Sequence, residues 1–534
     1  MRCSASICLG LVVLSTWIAL TGCEGDGADR PGFIVQNAVD PRCTPIGGAY
    51  PSGLDQLPGD PDVAVVMRFD TPAGLLAYDI GVSPPRLLTP GALPPFPADS
   101  DGDGVDDALR HRQLGLCPSF NPECVTYPDP GSAHAAANDL VLVTTSDYEQ
   151  VLFYEPMTGR LRSLSVANPL AQDAHDPDDW PFLPAGGTQA LRTAVSSRTC
   201  AYPPVPIDSL GDAIVPDPLC DPTRSGYLTR FTAASLVADG WLFVATSNLR
   251  SASRARFQPG TVLVYALDTG AAPPSVAPDT EVPVVFTTGF NPTGLTLHRN
   301  ASGRALVLVT LTGPITAGGD LLGAGAVDVI DVLSAELVAT IPLGDRAAPS
   351  FGPMAIDPSG QIALLGAESH RQLYAIDLRP LDDPALYAAS AKPVVLDGGT
   401  PGFPDARIFD AGTPLTLPDR PGGPPRALCA PRTNVAIDPA GELGYATDWC
   451  DGSIHVLALD LNGASEQPLD PTRIQVTGRI DALYPKNPDL FGLMTAPSMV
   501  RTTPPTPLVD PDRPDIFFVA NEPESQLCSL RVAP

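Results

Sequence analysis

Lysine is the scarcest ionisable residue of this chain. The 534 residues include only two lysines, Lys392 and Lys486, so catalysis through a lysine amine is not expected and most positive contacts must come from arginine. Basic residues number 32 against 60 acidic ones, which gives a formal net charge of −28. Because such a field repels polyanions, the sequence predicts that the protein does not bind nucleic acid.

Recognisable catalytic motifs are also missing. The chain has no H-E-x-x-H zinc motif, no phosphate-binding P-loop, no G-x-S-x-G elbow and no G-x-G-x-x-G fingerprint, which argues against the enzyme classes that depend on them. Long helices are excluded as well, because 63 prolines and 48 glycines interrupt the chain. An all-β fold with many turns is therefore expected.

The first 23 residues have the pattern of an export signal. Arg2 precedes an apolar run over 7–20 that is too short and too close to the N-terminus for a spanning helix. The pattern predicts a signal peptide over 1–22.

The end of that segment, L-T-G-C at Cys23, resembles a bacterial lipobox. The resemblance implies a bacterial lipoprotein whose partner is the membrane, with acyl chains such as palmitate on Cys23 and a tether over 23–31. Glu24 in place of an aspartate implies the outer membrane of the cell envelope. The alternative is an ordinary signal peptide with a chance cysteine.

Removal of the signal peptide, which contains Cys3 and Cys8, leaves eight cysteines besides Cys23. They are expected to form four disulfides, since an even number in an exported protein is typical of a disulfide framework. Spacing favours Cys117 with Cys124, Cys200 with Cys220 and Cys429 with Cys450, which leaves Cys43 with Cys528. Eight cysteines allow 105 pairings. The alternative is metal binding by the thiols, which the absence of a C-x-x-C pair disfavours.

A repeated unit of short strands organises the rest of the chain. Its clearest copy is Pro353–Leu378, where apolar strands are separated by a Pro-Ser-Gly turn and a polar hairpin. The second strand of the unit occurs seven times, at 63–69, 140–146, 241–247, 305–311, 362–368, 443–449 and 516–522. Such runs, rich in β-branched residues and bounded by turn residues, predict strands.

The other strands of the unit follow from these anchors. First strands are predicted to begin at Phe231, Gly294, Pro353, Asn434 and Ser498, and fourth strands to lie at 86–88, 160–166, 282–287, 336–341, 393–396 and 472–477. Radial repetition of four antiparallel strands predicts a seven-bladed β-propeller over 32–534. The strand Gly32–Gln36 is expected to complete the last blade, with Cys43–Cys528 locking the closure.

The two clearest copies, Pro353–Leu378 and Arg432–Leu461, also resemble the Tyr-Val-Thr-Asn-type propeller repeat of the lactonase-like superfamily. That resemblance implies an enzyme working through His, Glu and Arg at the channel mouth. The weak candidates here are Glu368, His370 and Arg371 on one polar hairpin; solvation of a hairpin tip is the alternative. His298 and His455 lie on predicted strands and are expected to be core or channel residues.

Long insertions are expected on one face of the propeller. They lie at about 89–137, 167–230, 397–432 and 478–497, between blades and therefore at the same end as the hairpins that join second and third strands. Long loops on a rigid scaffold usually carry binding.

The first insertion contains the most specific local motif. Oxygen ligands are spaced as in EF-hand-like and thrombospondin type 3 calcium loops, at Asp99, Asp101, Asp103, Val105 (through its carbonyl) and Asp107. Arg110 stands where the bidentate acid should be. The motif predicts a structural Ca²⁺ ion, and the alternative is a solvated acidic loop.

Three functions remain open from the sequence. The favoured one is a lipid-anchored binding or scaffold module that presents its insertion-bearing face to an unknown protein or glycan. The others are a lactonase-like hydrolase or isomerase acting on a small metabolite at the channel, and a purely structural envelope lipoprotein.

Overall fold

The computed structural model describes a set of segments that are almost entirely strands and the turns between them. The described residues are 34–36, 42–45, 51–68, 74–88, 123–128, 137–145, 150–155, 160–165, 188–189, 232–251, 256–257, 259–268, 275–276, 283–314, 325–343, 353–366, 372–388, 391, 393–396, 415–416, 435–448, 453–459, 474–480, 507–509, 516–521 and 526–531. Within them, no helix is long and apolar enough to cross a membrane.

The described strands form one sheet after another along the chain. Sheet 1 contains β3 (Pro51–Leu57), β4 (Asp60–Arg68), β5 (Gly74–Asp79) and β6 (Arg86–Leu87). Sheet 2 contains β7 (Glu123–Pro128), β8 (Ala137–Thr145), β9 (Gln150–Glu155), β10 (Arg160–Ser165) and β11 (Thr188–Gln189). Sheet 3 contains β12 (Thr232–Ala238), β13 (Trp241–Thr246), β16 (Pro259–Asp268), β17 (Ser275–Val276) and β18 (Val284–Phe290), with a separate ribbon of β14 (Leu249–Ser251) and β15 (Arg256–Phe257).

The C-terminal half continues the pattern. Sheet 4 contains β19 (Pro292–Arg299), β20 (Ala305–Leu311), β21 (Ala326–Asp331), β22 (Glu336–Pro342) and β26 (Val394–Val395). Sheet 5 contains β23 (Ala355–Ile356), β24 (Ile362–Gly366), β25 (Gln372–Asp377) and β27 (Leu415–Thr416). Sheet 6 contains β28 (Val435–Ile437), β29 (Leu443–Asp448), β30 (Ser453–Leu459), β31 (Ile474–Ile480) and β1 (Ile34–Gln36). Sheet 7 contains β32 (Pro507–Val509), β33 (Ile516–Asn521), β34 (Gln526–Arg531) and β2 (Arg42–Pro45).

Radial packing of these sheets makes the protein an all-β propeller. In each sheet the strands follow sequence order from one edge and pair antiparallel, except that β11, β26 and β1 pair in parallel at the far edge of sheets 2, 4 and 6. The first strands of neighbouring sheets contact each other, as β3 does with β7, β12 with β19, β28 with β32 and β32 with β3. The predicted all-β propeller of antiparallel sheets is therefore confirmed.

Apolar residues fill the junctions between sheets. Among the described residues, five hydrophobic clusters join sheets 2 and 3, 3 and 4, 4 and 5, 5 and 6, and 7 and 1. Strands such as β20, in which every residue is buried, pack on both faces and therefore lack polar alternation. The described core thus shows five packed junctions where the sequence predicts seven blades, and the blade number stays a prediction.

Closure of the ring differs from the expectation. The predicted closing strand, Gly32–Gln36, contributes β1, but β1 pairs in parallel with β31 of sheet 6. The strand that joins sheet 7 is β2, which pairs antiparallel with β34 and places Cys43 opposite Cys528, with a disulfide between them. The pairing of these two cysteines was expected, and the strand register explains it, because directly opposed residues bring their Cβ atoms together.

Several predicted boundaries are corrected by strand pairing. The fourth strand predicted at 393–396 is β26, which pairs with β22 of the preceding sheet, while β27 completes sheet 5. The first strand of sheet 2, β7, lies within the segment predicted as the insertion 89–137. The first strand predicted to begin at Ser498 lies outside the described residues. In the structure, β32 pairs with β33 at that edge of sheet 7.

Turn chemistry explains the recurring Asp-Pro-x-Gly sequence. Asp357 accepts hydrogen bonds from the backbone N–H groups of Ser359 at 2.9 Å, Gln361 at 2.8 Å and Ile362 at 2.6 Å. Gly360 closes this turn at φ +72°, a left-handed conformation that suits glycine. The acid of the repeat is therefore a buried turn cap, which explains its recurrence without a catalytic role.

Candidate functional site

Most side chains singled out from the sequence lie outside the described residues. They are the lipidation candidate Cys23, the calcium-loop residues Asp99, Asp101, Asp103, Val105 and Asp107, the hairpin residues Glu368, His370 and Arg371, and the cysteines Cys117, Cys200, Cys220, Cys429 and Cys450. Cys124 lies on β7, of which only the backbone is described. The polar chemistry that the structure does place is concentrated around sheet 4.

A buried hydroxyl and amide network lies where β13 ends and β16 begins. Thr246 Oγ1 contacts Thr261 Oγ1 at 2.5 Å and donates to Asn248 Oδ1 at 2.9 Å. The Asn248 side-chain amide donates to the carbonyl of Pro259 at 2.8 Å. Because these polar groups satisfy one another, they fix the hairpin end rather than present a reactive group.

A similar contact joins this hairpin end to sheet 4. Ser247 Oγ donates to the carbonyl of Pro292 at 3.3 Å, and Thr293 Oγ1 lies 2.6 Å from Thr312 Oγ1. These residues lie at the end of the sheets where second-to-third hairpins turn. The contacts described at this end of sheets 3 and 4 are thus made by hydroxyl groups and a backbone carbonyl.

Asp328 is a fully buried carboxylate between sheets 3 and 4. Thr288 donates to it through its backbone N–H and its hydroxyl, each at 2.7 Å, and Thr340 donates its hydroxyl at 2.7 Å. Burial raises the pKa of Asp328 to about 6, although the three hydrogen bonds act in the opposite direction. The carboxyl group therefore keeps its proton to a higher pH than an ordinary aspartate does.

Asp331, three residues further along β21, has a charged partner. Arg304 donates to its two oxygens through Nε at 2.5 Å and Nη2 at 2.8 Å, and Ser334 donates its backbone N–H at 2.9 Å. Burial alone would raise the pKa of Asp331, but the bonds from Arg304 and Ser334 outweigh it and the pKa lies below its usual value. This bidentate pair holds the turn between β21 and β22.

The connection between β25 and β27 of sheet 5 covers the same arginine. This segment begins with two 3₁₀ turns, Arg379–Asp382 and Pro384–Tyr387. The Tyr387 ring lies 4.4 Å from the Arg304 guanidinium carbon, and Ala301 donates its N–H to Asp382 at 2.7 Å. Cation–π contact and backbone bonding together dock sheet 5's connection onto sheet 4.

His298 is buried beside this docking site. Only 2% of the residue is exposed, and neither ring nitrogen has a hydrogen-bond partner among the described residues. Burial lowers the pKa of His298, although Asp382 and Asp357 act in the opposite direction. His455 is also buried, on β30 opposite Ala446, so both histidines are interior residues as predicted.

The inner strands supply little acid–base chemistry. Where side chains of β12, β19, β23 and β28 are described, they are mostly alanine, serine, threonine, valine, leucine and isoleucine, and His298 with the exposed Arg299 lies at one end of β19. Across the described part of the chain, no group of three or more His, Cys, Asp or Glu side chains could hold a metal ion. No described constellation therefore favours the hydrolase or isomerase alternative.

Comparison with known proteins gives distant likenesses only. No protein-family model and no curated protein matches the chain. Among solved structures, Kuenenia stuttgartiensis hydrazine synthase is 10% identical with a TM-score of 0.43, covering 91% of this chain and 97% of its own. A chain of the mitotic checkpoint complex is 10% identical with a TM-score of 0.42, covering 98% and 100%. The C-terminal WD40 domain of Sif2 is 7% identical with a TM-score of 0.37, covering 94% and 100%.

Sequence reasoning missed the two most informative acids. Asp328 and Asp331 belong to AVDVID, which reads as an ordinary third strand, and the distinction between them depends on partners 40 residues before Asp328 and 27 residues before Asp331. One local signal was available, because an acid in the middle of an apolar strand is expected to have buried hydrogen-bond donors.

Proposed function

We propose that this protein is a lipid-anchored scaffold whose ring presents binding loops at one end. The observation that carries the proposal is the strand order: in every sheet the strands follow sequence order from one edge to the other, apart from β1 and β2, which are added at the far edge of sheets 6 and 7. In such a sheet the connection to the next sheet leaves at the same end as the second-to-third hairpin. We therefore expect residues 89–122 and 481–506, which link consecutive sheets in sequence and lie outside the described residues, at that end.

The same proposal takes the seven sheets of four or five described strands as seven blades. Sheet 7 then combines β2 from the N-terminal side with three C-terminal strands, and Cys43–Cys528 holds the ring closed. Substituting Cys43 by serine is expected to lower the free energy of unfolding by about 2 to 5 kcal/mol, measured by urea denaturation. An unchanged midpoint would argue against this bond as the lock.

Membrane attachment is proposed through Cys23. Support comes from the lipobox resemblance and from the sequence distance to the first described strand, Ile34, which leaves a short tether. The test is metabolic labelling with an alkyne-tagged fatty acid in a Gram-negative host. We expect label on the wild type and none on C23S, whereas equal labelling of C23S would overturn the anchor.

Calcium binding by the acidic loop is proposed as a structural feature of the presenting end. Oxygen ligands at alternate positions suit a hard cation, and Asp101 and Asp103 are its central members. We expect a chelator to lower the melting temperature of the wild type and not of the D101A/D103A variant. Asp60→Ala, an exposed acid elsewhere, is the matched control and should keep the chelator response.

Partner binding is tested by removing the presenting end. Replacing residues 92–120 by a short glycine-serine linker should abolish crosslinking to envelope components, detected by mass spectrometry, while the thermal unfolding of the ring remains cooperative. Retention of the same crosslinks would place the binding surface elsewhere.

A further inference from the structure

At the outer edges of three sheets, an additional short strand lies beyond the fourth strand. In sheets 2, 4 and 6 the fourth strand is covered by an additional strand that pairs in parallel, namely β11 on β10, β26 on β22 and β1 on β31. Each added strand is two or three residues long, and β1 comes from the opposite end of the chain. The outer edge of this propeller therefore accepts short parallel strands from distant sequence.

The corresponding edge of sheet 1 has no such cover among the described residues. Its last strand, β6, is exposed, and the hairpin that carries it bears Val82 (42% exposed), Leu87 (40%) and Leu88 (42%). These are three of the five large apolar side chains that are exposed in the described part of the chain. Apolar side chains clustered at an open strand edge are typical of an interaction site.

The backbone register shows that the N–H and C=O groups of Leu87 face the open edge of sheet 1. Leu88 donates its N–H to the Ala77 carbonyl at 2.9 Å, and Leu87 is opposite Tyr78 in the next position of the ladder. Residues in an antiparallel ladder alternate between hydrogen-bonded and non-hydrogen-bonded pairs. The N–H and C=O of Leu87 consequently point away from β5, toward the open edge.

This edge is held in place before any partner arrives. Arg86 forms an ion pair with Asp79 at 2.8 Å, Asp79 also accepts the N–H of Gly81 at 3.0 Å, and Ser83 contacts Ser529 of β34 at 3.1 Å. Binding would therefore require little additional ordering, which is the main cost of adding a strand.

Charge around the edge favours a basic partner. The exposed residues Asp60 and Asp62 lie at the start of β4, where Ile80 donates its N–H to the Asp62 carbonyl at 2.7 Å. Two arginines lie nearby: Arg86 on β6 is paired with Asp79, and Arg42 donates to the Ser83 carbonyl at 3.4 Å. The whole chain carries a net charge of −28. An apolar strand flanked by lysine or arginine is thus better matched than an acidic one.

We propose that the outer edge of sheet 1, formed by Val82, Leu87 and Leu88, binds an extended apolar segment of a partner protein flanked by basic residues. The segment pairs in parallel with β6, as the chain's own strands do in sheets 2, 4 and 6. Main-chain hydrogen bonds to Leu87 supply pairing, and the three apolar side chains supply contact area. This inference does not depend on lipid anchoring or calcium.

The probe is a fluorescent peptide of sequence KKVTVIVKK, titrated against the full-length protein by fluorescence anisotropy. We expect binding with a dissociation constant below about 1 mM and protection of the Leu87 amide from hydrogen exchange. L87P removes the outward N–H at a position where an edge strand tolerates proline, and is expected to weaken binding at least about ten-fold. No binding by the wild type at 1 mM peptide, on the order of the weakest expected affinity, would overturn the proposal.

Two further variants separate edge pairing from misfolding and from general hydrophobicity. V82S/L88S keeps the backbone of β6 and should weaken binding several-fold, while L333S removes the most exposed apolar side chain elsewhere, at 82% exposure, and should bind like the wild type. Equal weakening by L333S, or equal binding of a peptide flanked by glutamate, would overturn the assignment. A dimer that L87P converts to monomer would instead identify a second copy as the occupant.

Discussion

Two aspartates on β21 of sheet 4 have opposite pKa shifts. Asp328 faces sheet 3 and is held by threonine donors, whereas Asp331 lies at the turn and is held by Arg304. Both carboxylates are buried, yet the pKa of Asp328 is raised to about 6 and the pKa of Asp331 is lowered. The difference shows that burial sets the penalty for a charge, and that a bidentate cation, more than neutral donors, can reverse it.

Removing the cation should produce the largest effect on this contrast. Arg304→Met leaves the Asp331 carboxylate, whose side chain is 1% exposed, without its ion-pair partner. We expect the free energy of unfolding to fall by about 3 to 5 kcal/mol at pH 7, the usual range when one partner of a buried pair is lost. Urea denaturation measures it.

Acidification should rescue that variant in part, because protonating Asp331 removes the uncompensated charge. A loss that is the same at pH 7 and pH 4 would show that Arg304 acts through its packing on Tyr387 instead. The effect of Arg304 would then come from its packing and not from its charge.

Asp328 should give the second largest effect. Its contribution to stability should change with pH in the opposite direction to that of Asp331. A carboxyl whose pKa is higher in the folded state than in the unfolded state contributes stability that is fully present below the unfolded value and lost as pH rises through about 6. Between pH 4 and pH 7.5 we expect the wild type to lose about 2 to 3 kcal/mol relative to D328N, which cannot titrate. Unfolding curves at these two pH values test it, and parallel profiles would contradict the assignment.

His298 should show a smaller effect, and its contribution to stability should decrease as the pH falls. Its pKa is lowered by burial, so the neutral ring contributes stability that is present above the ordinary pKa of histidine and lost as pH falls below it. His298→Gln is expected to flatten the pH profile below pH 6.5, with a change of about 1 kcal/mol, the usual size for a single substitution. Thermal melts from pH 5 to 8 measure it; a profile as steep as that of the wild type would exclude His298 as its source.

The exposed pair of Arg299 with Asp239 should give the smallest effect. The side chains are 50% and 48% exposed and lie 2.6 Å apart, so solvent screens their attraction. Arg299→Met is expected to change stability by less than about 1 kcal/mol, as for other surface pairs. It is also the matched control for Arg304→Met, and a loss as large as in that variant would erase the distinction between buried and exposed arginines.

Local sequence carried enough information for most strands but not for their partners. The turn at Asp357–Gly360 and the strand β20 follow from residue type alone, because a capping acid, a left-handed glycine and an unbroken apolar run each have few alternatives. Strands of two residues such as β26 have no periodicity to detect. Val394 pairs with β22 of sheet 4, and Leu381, Leu386 and Leu396 are buried in the cluster between sheets 4 and 5, which are tertiary contacts that no local pattern encodes.

The candidate site was predictable to a similar degree. Cys43 and Cys528 could be paired because the spacing of the other six cysteines left these two, although the strand predicted to close the ring pairs with sheet 6 instead. The burial of His298 followed from its place on an apolar strand. Its proximity to Asp382 did not, since that contact depends on a connection 84 residues later in the chain.

The docking of sheet 5's connection onto sheet 4 has a consequence for modular engineering of this ring. Residues 379–396 belong to the fifth repeat by sequence, but they cover Arg304 and supply β26 to the fourth. Excising or transplanting the fifth repeat would therefore also remove β26 and the Tyr387 contact from sheet 4. Duplicating the repeat would leave one copy of this segment without the Arg304 surface on which it packs. Sheets 4 and 5 should therefore be exchanged as a pair, and insertions or deletions that leave this pair intact are the ones we expect the ring to tolerate there.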